Sequence, residues 1–191
     1  SGRRPRRGGQ PEAAGADVND AILTTGRLVL TPVAVTDFDD LAGLWADEAF
    51  TRHITGRAMT SEEVWFRLLR DLGQWSVAGY GGWTIRLADG GAYAGNVSIL
   101  DHRRLIDPPL TDPELGWGLA PAFQNRGIAA EAVTAALAWA DARLPAARTV
   151  CMIAPRNLAS IRLAERVGYR PYAQARYRDE AVQLFERPRA A

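Results

Sequence analysis

Glu114-Leu-Gly-Trp-Gly-Leu-Ala-Pro-Ala-Phe-Gln-Asn-Arg-Gly-Ile-Ala129 is the stretch on which the reading of this 191-residue chain turns. A strand over residues 114–119 runs through a turn into an alanine-rich helix whose apolar positions, Ile128, Ala132, Val133, Ala136, Leu137 and Ala140, recur at helical spacing. Pro145, just past Leu144, closes that helix. Gly127 removes the Cβ that would keep a ligand off the backbone, and the small Ala129 lets the first helical turn come close. Free N–H groups and the positive end of the helix dipole converge there, so a pyrophosphate fits without a lysine. Arg126 adds a forked cation. A plain surface helix after a turn is the alternative.

Two common nucleotide patterns do not fit this turn. A P-loop needs G-x-x-x-x-G-K-[ST], and the chain has no lysine: all 23 of its basic residues are arginine. A dinucleotide fingerprint needs three glycines opening a parallel βαβ unit, and this turn offers one, well past the middle of the chain.

Length and a 47% hydrophobic content suit one domain with a substantial core, over residues 21–191. Residues 1–20 carry Arg3, Arg4, Arg6 and Arg7 with only Val18 as a bulky apolar side chain, and are expected to be a disordered basic tail. A net charge of +1 with dispersed basic residues gives no nucleic-acid footprint. Cys151 is the sole cysteine and reads as a buried small hydrophobe; with two isolated histidines it makes no zinc site of usual spacing. No apolar run reaches the roughly 20 residues that span a bilayer. A cytoplasmic protein, neither membrane-embedded nor obviously secreted, is expected.

Before the central stretch, residues 27–33 alternate and end at Pro32, which suits an edge strand. Thr36 or Asp37 caps a helix with Phe38, Leu41, Leu44 and Trp45 at helical spacing, and Thr60-Ser-Glu-Glu63 is a capping box for a second short helix. Asp89-Gly-Gly91 joins two strands, 82–87 and 92–100, as a hairpin. Residues 102–113, with three prolines, form a long loop, and residues 52–57 a polar one. Beyond the central helix come an apolar strand over 149–154, a helix with Asn157 at its start and Gly168 at its stop, and two final strands over 169–172 and 180–185.

Gln124-Asn-Arg-Gly-Ile-Ala129 resembles the Q/R-x-x-G-x-G/A acyl-CoA signature of the GNAT acetyltransferase superfamily. Asn157-Leu-Ala-Ser160, followed by Glu165-Arg-Val-Gly-Tyr169, resembles that family's N-x-x-[AS] and E-K-L-G-F/Y block, in the right order after one helix and one strand. With Gly26-Arg-Leu-Val-Leu30 and Glu114-Leu-Gly-Trp-Gly-Leu-Ala-Pro121, the chain over residues 24–187 is similar to the RimJ/RimL-type branch, whose named members acetylate N-terminal amines of ribosomal proteins. The resemblance implies an α/β GNAT fold: a mixed, mostly antiparallel sheet, its central parallel strands splayed around acetyl-CoA, with helices on both faces.

It also implies roles. Backbone groups near Trp117 and Leu119 would hold the pantetheine arm; Gln124, Asn125, Arg126, Gly127, Ile128 and Ala129 would hold the pyrophosphate; Asn157 would bond the arm unless it is a pure N-cap. Glu114 is the acidic base candidate, against a solvent-facing or salt-bridged strand residue. Many members carry a tyrosine acid seven residues after the asparagine, where this chain has Ala164; Ser160 is the nearest substitute, or an ordinary helical hydroxyl. Gly118 stands where a second aromatic is frequent, opening the prospect of a roomier pocket. Arg52, His53, Trp83 and Arg103 are the candidates on the acceptor side.

The expectation is acetyl transfer from acetyl-CoA to a primary amine, without metal or covalent intermediate, by a monomer or homodimer. The acceptor is a protein N-terminus or a small amine such as an amino sugar, antibiotic or polyamine, and an acidic pocket would favour the latter. A non-catalytic acyl-CoA sensor is the rival of a different class.

Overall fold

The computed structural model describes residues 18–52 and 54–190. The expected tail over residues 1–17, and the candidate His53, lie outside the described residues. Among these, strands β1 (Leu23–Thr24), β2 (Leu28–Pro32), β3 (Gly82–Leu87), β4 (Tyr93–Leu100), β5 (Glu114–Leu119), β6 (Arg148–Ile153), β7 (Arg170–Tyr177) and β8 (Glu180–Pro188) form one sheet, ordered β1-β2-β3-β4-β5-β6-β8-β7. Every neighbouring pair is antiparallel except β5 and β6.

Side-chain alternation divides the sheet between two helical layers. On one face the apolar stripe of α4 (Ile128–Arg143) is buried along its predicted positions, from Ile128 to Ala140, against Ile85, Val97, Leu115 and Cys151. Ala164 of α5 (Leu158–Arg166) joins the same core. On the other face, α1 (Phe38–Ala46), the single turn α2 (Glu48–Thr51) and α3 (Ser61–Ala78) enclose Leu41, Leu44, Trp45, Phe50, Val64 and Leu68. Asp37 stands at the N-cap position of α1, but its carboxylate accepts from the Ala34 N–H, the Thr84 hydroxyl and Arg86, tying the helix to the sheet.

Three local expectations change. The helix capped by Thr60 and Glu63 is not short: it runs for 18 residues, because Val64, Leu68, Leu72 and Trp75 keep facing inward until Gly79 stops it at φ 74°. The edge of the sheet is β1, so β2 lies one strand in, with Pro32 at its end opposite Trp83. The last two strands extend to Tyr177 and Pro188 because they zip together as one long hairpin.

Two glycine positions shape the middle of the sheet. A Cβ on Gly95, at φ 144°, would run into the Gly118 carbonyl, so β4 and β5 approach closely only because Gly95 is bare. Beyond β5 the ladder nearly stops: β5 and β6 pair only at Glu114 and Val150, with the Val150 N–H on the Pro113 carbonyl at 3.0 Å. From Leu115 onward the two parallel strands part.

Candidate active site

The parting of β5 and β6 leads to the turn before α4. Gly127 is the N-cap there, at φ 76° and ψ 1°, and no side chain caps the helix, so its first N–H groups are left to a ligand. Asn125, at φ 57°, turns the preceding loop. Gln124, Asn125, Arg126 and Gly127 are exposed, whereas Ile128 is buried and Ala129 half-buried, which puts the predicted cradle at the surface with its root in the core. The Gln124 amide is turned back to the Leu119 carbonyl at 3.1 Å, fastening the loop to the strand end.

Arg27 completes this cradle and escaped the sequence reading, since it comes from the distant start of β2. Its Nη1 donates to the Arg126 carbonyl at 2.9 Å, and a Cβ on Gly127 would lie 3.4 Å from its Nη2. The one acid in the first turn of α4, Glu131, is neutralised by it: Arg27 Nε donates at 2.7 Å and the Thr25 hydroxyl at 2.5 Å. Against a burial that would raise it, these bonds hold the Glu131 carboxyl below its usual range. An anion therefore meets a positive helix end, not a carboxylate.

Asn157 caps α5 by accepting the Ser160 N–H on Oδ1 at 3.1 Å, while its amide N–H groups have no partner among the described residues. Capping and cofactor binding thus use different atoms of one side chain. Ser160 is half-buried, its hydroxyl without a hydrogen-bond partner among the described residues, and Ala164 is fully buried. Leu119 is buried and Trp117 half-buried, both against the α4-side core.

On the opposite face of the gap, Glu114 is 7% exposed and held by a bidentate pair with Arg104, at 2.6 and 2.9 Å. Arg104 Nη1 also donates to the Tyr177 hydroxyl at 3.0 Å, drawing the loop over residues 102–113 and β7 onto the start of β5. The salt-bridge alternative for Glu114 is thus realised; each carboxylate oxygen still has a lone pair for a proton. Nearby, His102 is pushed down to about 3, by burial first and then by Arg70, Arg104 and Arg67, so its imidazole is neutral at ordinary pH. A cleft of about 360 Å³ opens beside Pro155, past the end of β6, and is lined by Gln174, Ala175 and Arg176 of β7 and by Ala181 and Val182 of β8.

Other candidates are placed differently. Trp83 is 0% exposed, packed edge-on against Trp75 and Trp139 with its indole N–H on the Ala21 carbonyl, so it is core and not substrate-facing. Arg52 is exposed, and the Arg103 side chain is 89% exposed, 3.8 Å from Asp101. The room expected at Gly118 is taken: a Cβ there would stand 2.7 Å from two ring carbons of Phe50. Cys151 is 1% exposed, and burial raises its thiol well above the usual range, which makes it a poor nucleophile.

Arg104, Tyr177, Phe50 and Arg27 are the site residues the sequence did not single out. Arg27 lay in the quoted stretch Gly26–Leu30 without a role of its own, and Arg104 lay in the loop over residues 102–113, where nothing distinguished it from Arg103.

Comparison with known proteins agrees with this geometry. The family model described as the acetyltransferase (GNAT) domain matches residues 27–170. A GnaT-family acetyltransferase from Bordetella pertussis is 34% identical, with a TM-score of 0.77 over 87% of this chain and 98% of that one. Two more distant structures share the fold. One is RimL, a ribosomal L7/L12 alpha-N-protein acetyltransferase in complex with coenzyme A, at 17% identity and TM-score 0.73 over 87% and 97%. The other is spermidine N-acetyltransferase from Vibrio cholerae in complex with CoA and spermine, at 15% and 0.69 over 86% and 97%. With its split sheet, its uncapped central helix and these matches together, the chain belongs to the GNAT family of acetyltransferases.

Proposed function

We propose that this N-acetyltransferase moves an acetyl group from acetyl-CoA to a primary amine by direct transfer within a ternary complex. The observation that carries the reading is the gap between β5 and β6, with the uncapped start of α4 at one end and the Glu114 carboxylate on its far face.

The chain's groups divide the work. The N–H groups opening α4, with Arg126 and Arg27, receive the pyrophosphate, and the open edge of β5 near Trp117 and Leu119, with the Asn157 amide, receives the arm. Acetyl-CoA supplies the activated thioester carbonyl. Glu114, fixed in plane by Arg104, takes the proton of the incoming ammonium directly or through water. As the new C–N bond forms and the C–S bond breaks, the Ser160 hydroxyl gives its proton to the departing sulfur and takes in exchange the proton that the newly acylated nitrogen sheds. The deeply buried Cys151 offers no covalent route, so both substrates bind before transfer.

The acceptor we favour is a protein or peptide N-terminus, in keeping with the resemblance to the RimJ/RimL-type branch. The charges that bear on His102, near Glu114, are Arg70, Arg104 and Arg67, which argues against a polyamine. A non-catalytic sensor is disfavoured because Glu114 is held in place by both Arg104 and the rung opposite Val150. A cytoplasmic setting fits the single buried thiol. Release of free CoA thiol from acetyl-CoA against a panel of peptides, amino sugars and polyamines tests the reading. CoA binding without turnover on any amine would replace the enzyme with the sensor.

A further inference from the structure

The cleft of about 360 Å³ past the end of β6 has no part in the transfer described above. Pro155 forms one wall, and the hairpin of β7 and β8 forms the other, with Ala175 opposite Val182 and Arg176 opposite Ala181. The space exists because Ala175, Ala181 and Val182 are small. Val182 is buried and Ala175 half-buried, whereas Gln174 and Arg176 are exposed at the margin. The Arg176 guanidinium is turned to the hairpin end, where Nη2 donates to the Asp179 carbonyl at 2.5 Å. An apolar floor with a polar margin, at this volume, is the form of a ligand pocket.

Alternation along the strands decides which face the cleft shares. Cys151, Ile153 and Phe185 point into the core beneath α4. Met152, Leu184 and Val182, each one residue away, therefore point to the other face, as does Glu114 beside Leu115 of that same core. Ala175 pairs with Val182 and joins them, and so does Tyr177 two residues on. The Tyr177 hydroxyl accepts from Arg104 at 3.0 Å, and the same guanidinium grips Glu114 at 2.6 and 2.9 Å. The end of the hairpin is thereby drawn over the start of β5. Arg178 and Asp179, at φ 49° and 65°, close the hairpin as a two-residue turn whose twist suits its strands, so this wall is preformed.

Between the carboxylate and the cleft the same face is lightly furnished. Gly116, two residues from Glu114, is half-exposed, and a Cβ there would meet Leu100 alone among the described residues, at 3.6 Å. Met152 on β6 is half-buried. From β5 to β8 is two strand spacings, about 10 Å, which an extended chain covers in about three residues.

We infer that the cleft is a second acceptor subsite, taking an apolar side chain from the second or third residue of a peptide whose terminal amine lies at Glu114. The inference rests on the amine-acetylation reading above and narrows its substrate class to peptides with an aliphatic residue just inside the N-terminus. Ala175 is then a specificity-determining residue. The cosubstrate is not the occupant, since the hairpin walls lie on the far side of β6 from the gap that receives its arm.

Tripeptide amides test it: Ala-Leu-Gly against Ala-Asn-Gly, and Ala-Gly-Leu against Ala-Gly-Asn, because leucine and asparagine differ in polarity more than in shape. In the wild-type enzyme leucine should win in kcat/KM by about ten-fold or more at one of the two positions, mainly through KM. Ala175→Phe, which fills the cleft, should bring that ratio to near unity by loss on the leucine peptide, and Ala175→Ser, which keeps the space, should retain most of it. A circular-dichroism melt shows whether each variant folds, and the wild-type comparison stands without them. Equal use of leucine and asparagine at both positions, or acetylation of small amines with none of the peptides, overturns the inference and leaves amine acetylation intact. A folded Ala175→Phe that keeps the leucine preference but binds CoA more weakly gives the cleft to the cosubstrate and overturns it as well. Acetylation of no amine at all, with CoA still bound, removes both readings.

Discussion

Glu114 illustrates how a residue can be located by motif and understood only in three dimensions. Its place at the start of the central strand was legible; its bidentate partner Arg104 and the Tyr177 hydroxyl behind it were not, because an irregular loop and a distant strand deliver them. We predict that Glu114→Gln lowers kcat by roughly 10²-fold at neutral pH, the scale of a general base, and that the loss shrinks as rising pH deprotonates the amine unaided. The same change leaves a buried guanidinium short of its counter-charge, so a thermal melt should show a loss of about 3 kcal/mol. Wild-type kcat with a lowered melting temperature would make Glu114 purely structural. At the other end of the gap, Gly127→Asp should weaken CoA binding on the order of ten-fold or more, since it puts a side chain in left-handed backbone and an anion at the helix start. Calorimetry with CoA measures this, and undiminished affinity in a folded variant would displace the cradle.

Elements with strong local signals were readable: the capping box of α3, the glycine hairpin between β3 and β4, and the apolar stripe of α4 depend on near neighbours in sequence. The single turn α2 was not, having too few residues for any periodicity, and with it went the knowledge that Phe50 would plug the space at Gly118. This plug can be probed. Gly118→Ala should cost about 1–3 kcal/mol, because the buried Phe50 ring must move, and Phe50→Leu in the same chain should recover part of it in denaturant titrations. If Gly118→Ala is neutral, α2 yields more readily than its packing against Trp45 implies. The α3 cap gives a smaller effect: Thr60→Ala removes the acceptor of the Glu63 N–H and should cost about 1 kcal/mol in the same titrations.

For the molecule as a whole, the fold followed from two motifs at the correct separation, whereas the electrostatic character of the region around His102 did not. Arg67 and Arg70 from α3, and His102 and Arg104 from the loop over residues 102–113, gather there only after the layers assemble. One global consequence is a pH dependence. His102 has its ordinary pKa of 6.5 when unfolded and about 3 when folded, so the unfolded chain binds the proton first as pH falls. Its contribution to stability is complete above about 6.5 and is lost progressively as pH falls toward 3. Melts taken from about 7.5 down to about 5.5, above the 4.5 at which an unfolded glutamate takes its proton, should show the start of the decline, and His102→Gln should flatten it. A second consequence follows from the lone rung between Glu114 and Val150. A sheet normally hides its edges at its margins, but this one carries an edge in its interior, along β5 from Leu115 to Leu119, where peptide groups lack a neighbouring strand. An extended ligand arm laid there would stand in for the absent strand, making the cosubstrate a temporary member of the architecture. Amide hydrogen exchange should then slow on both banks of the cleft when CoA binds, joining the leaf of β1 to β5 to the leaf of β6 to β8 into one cooperative sheet.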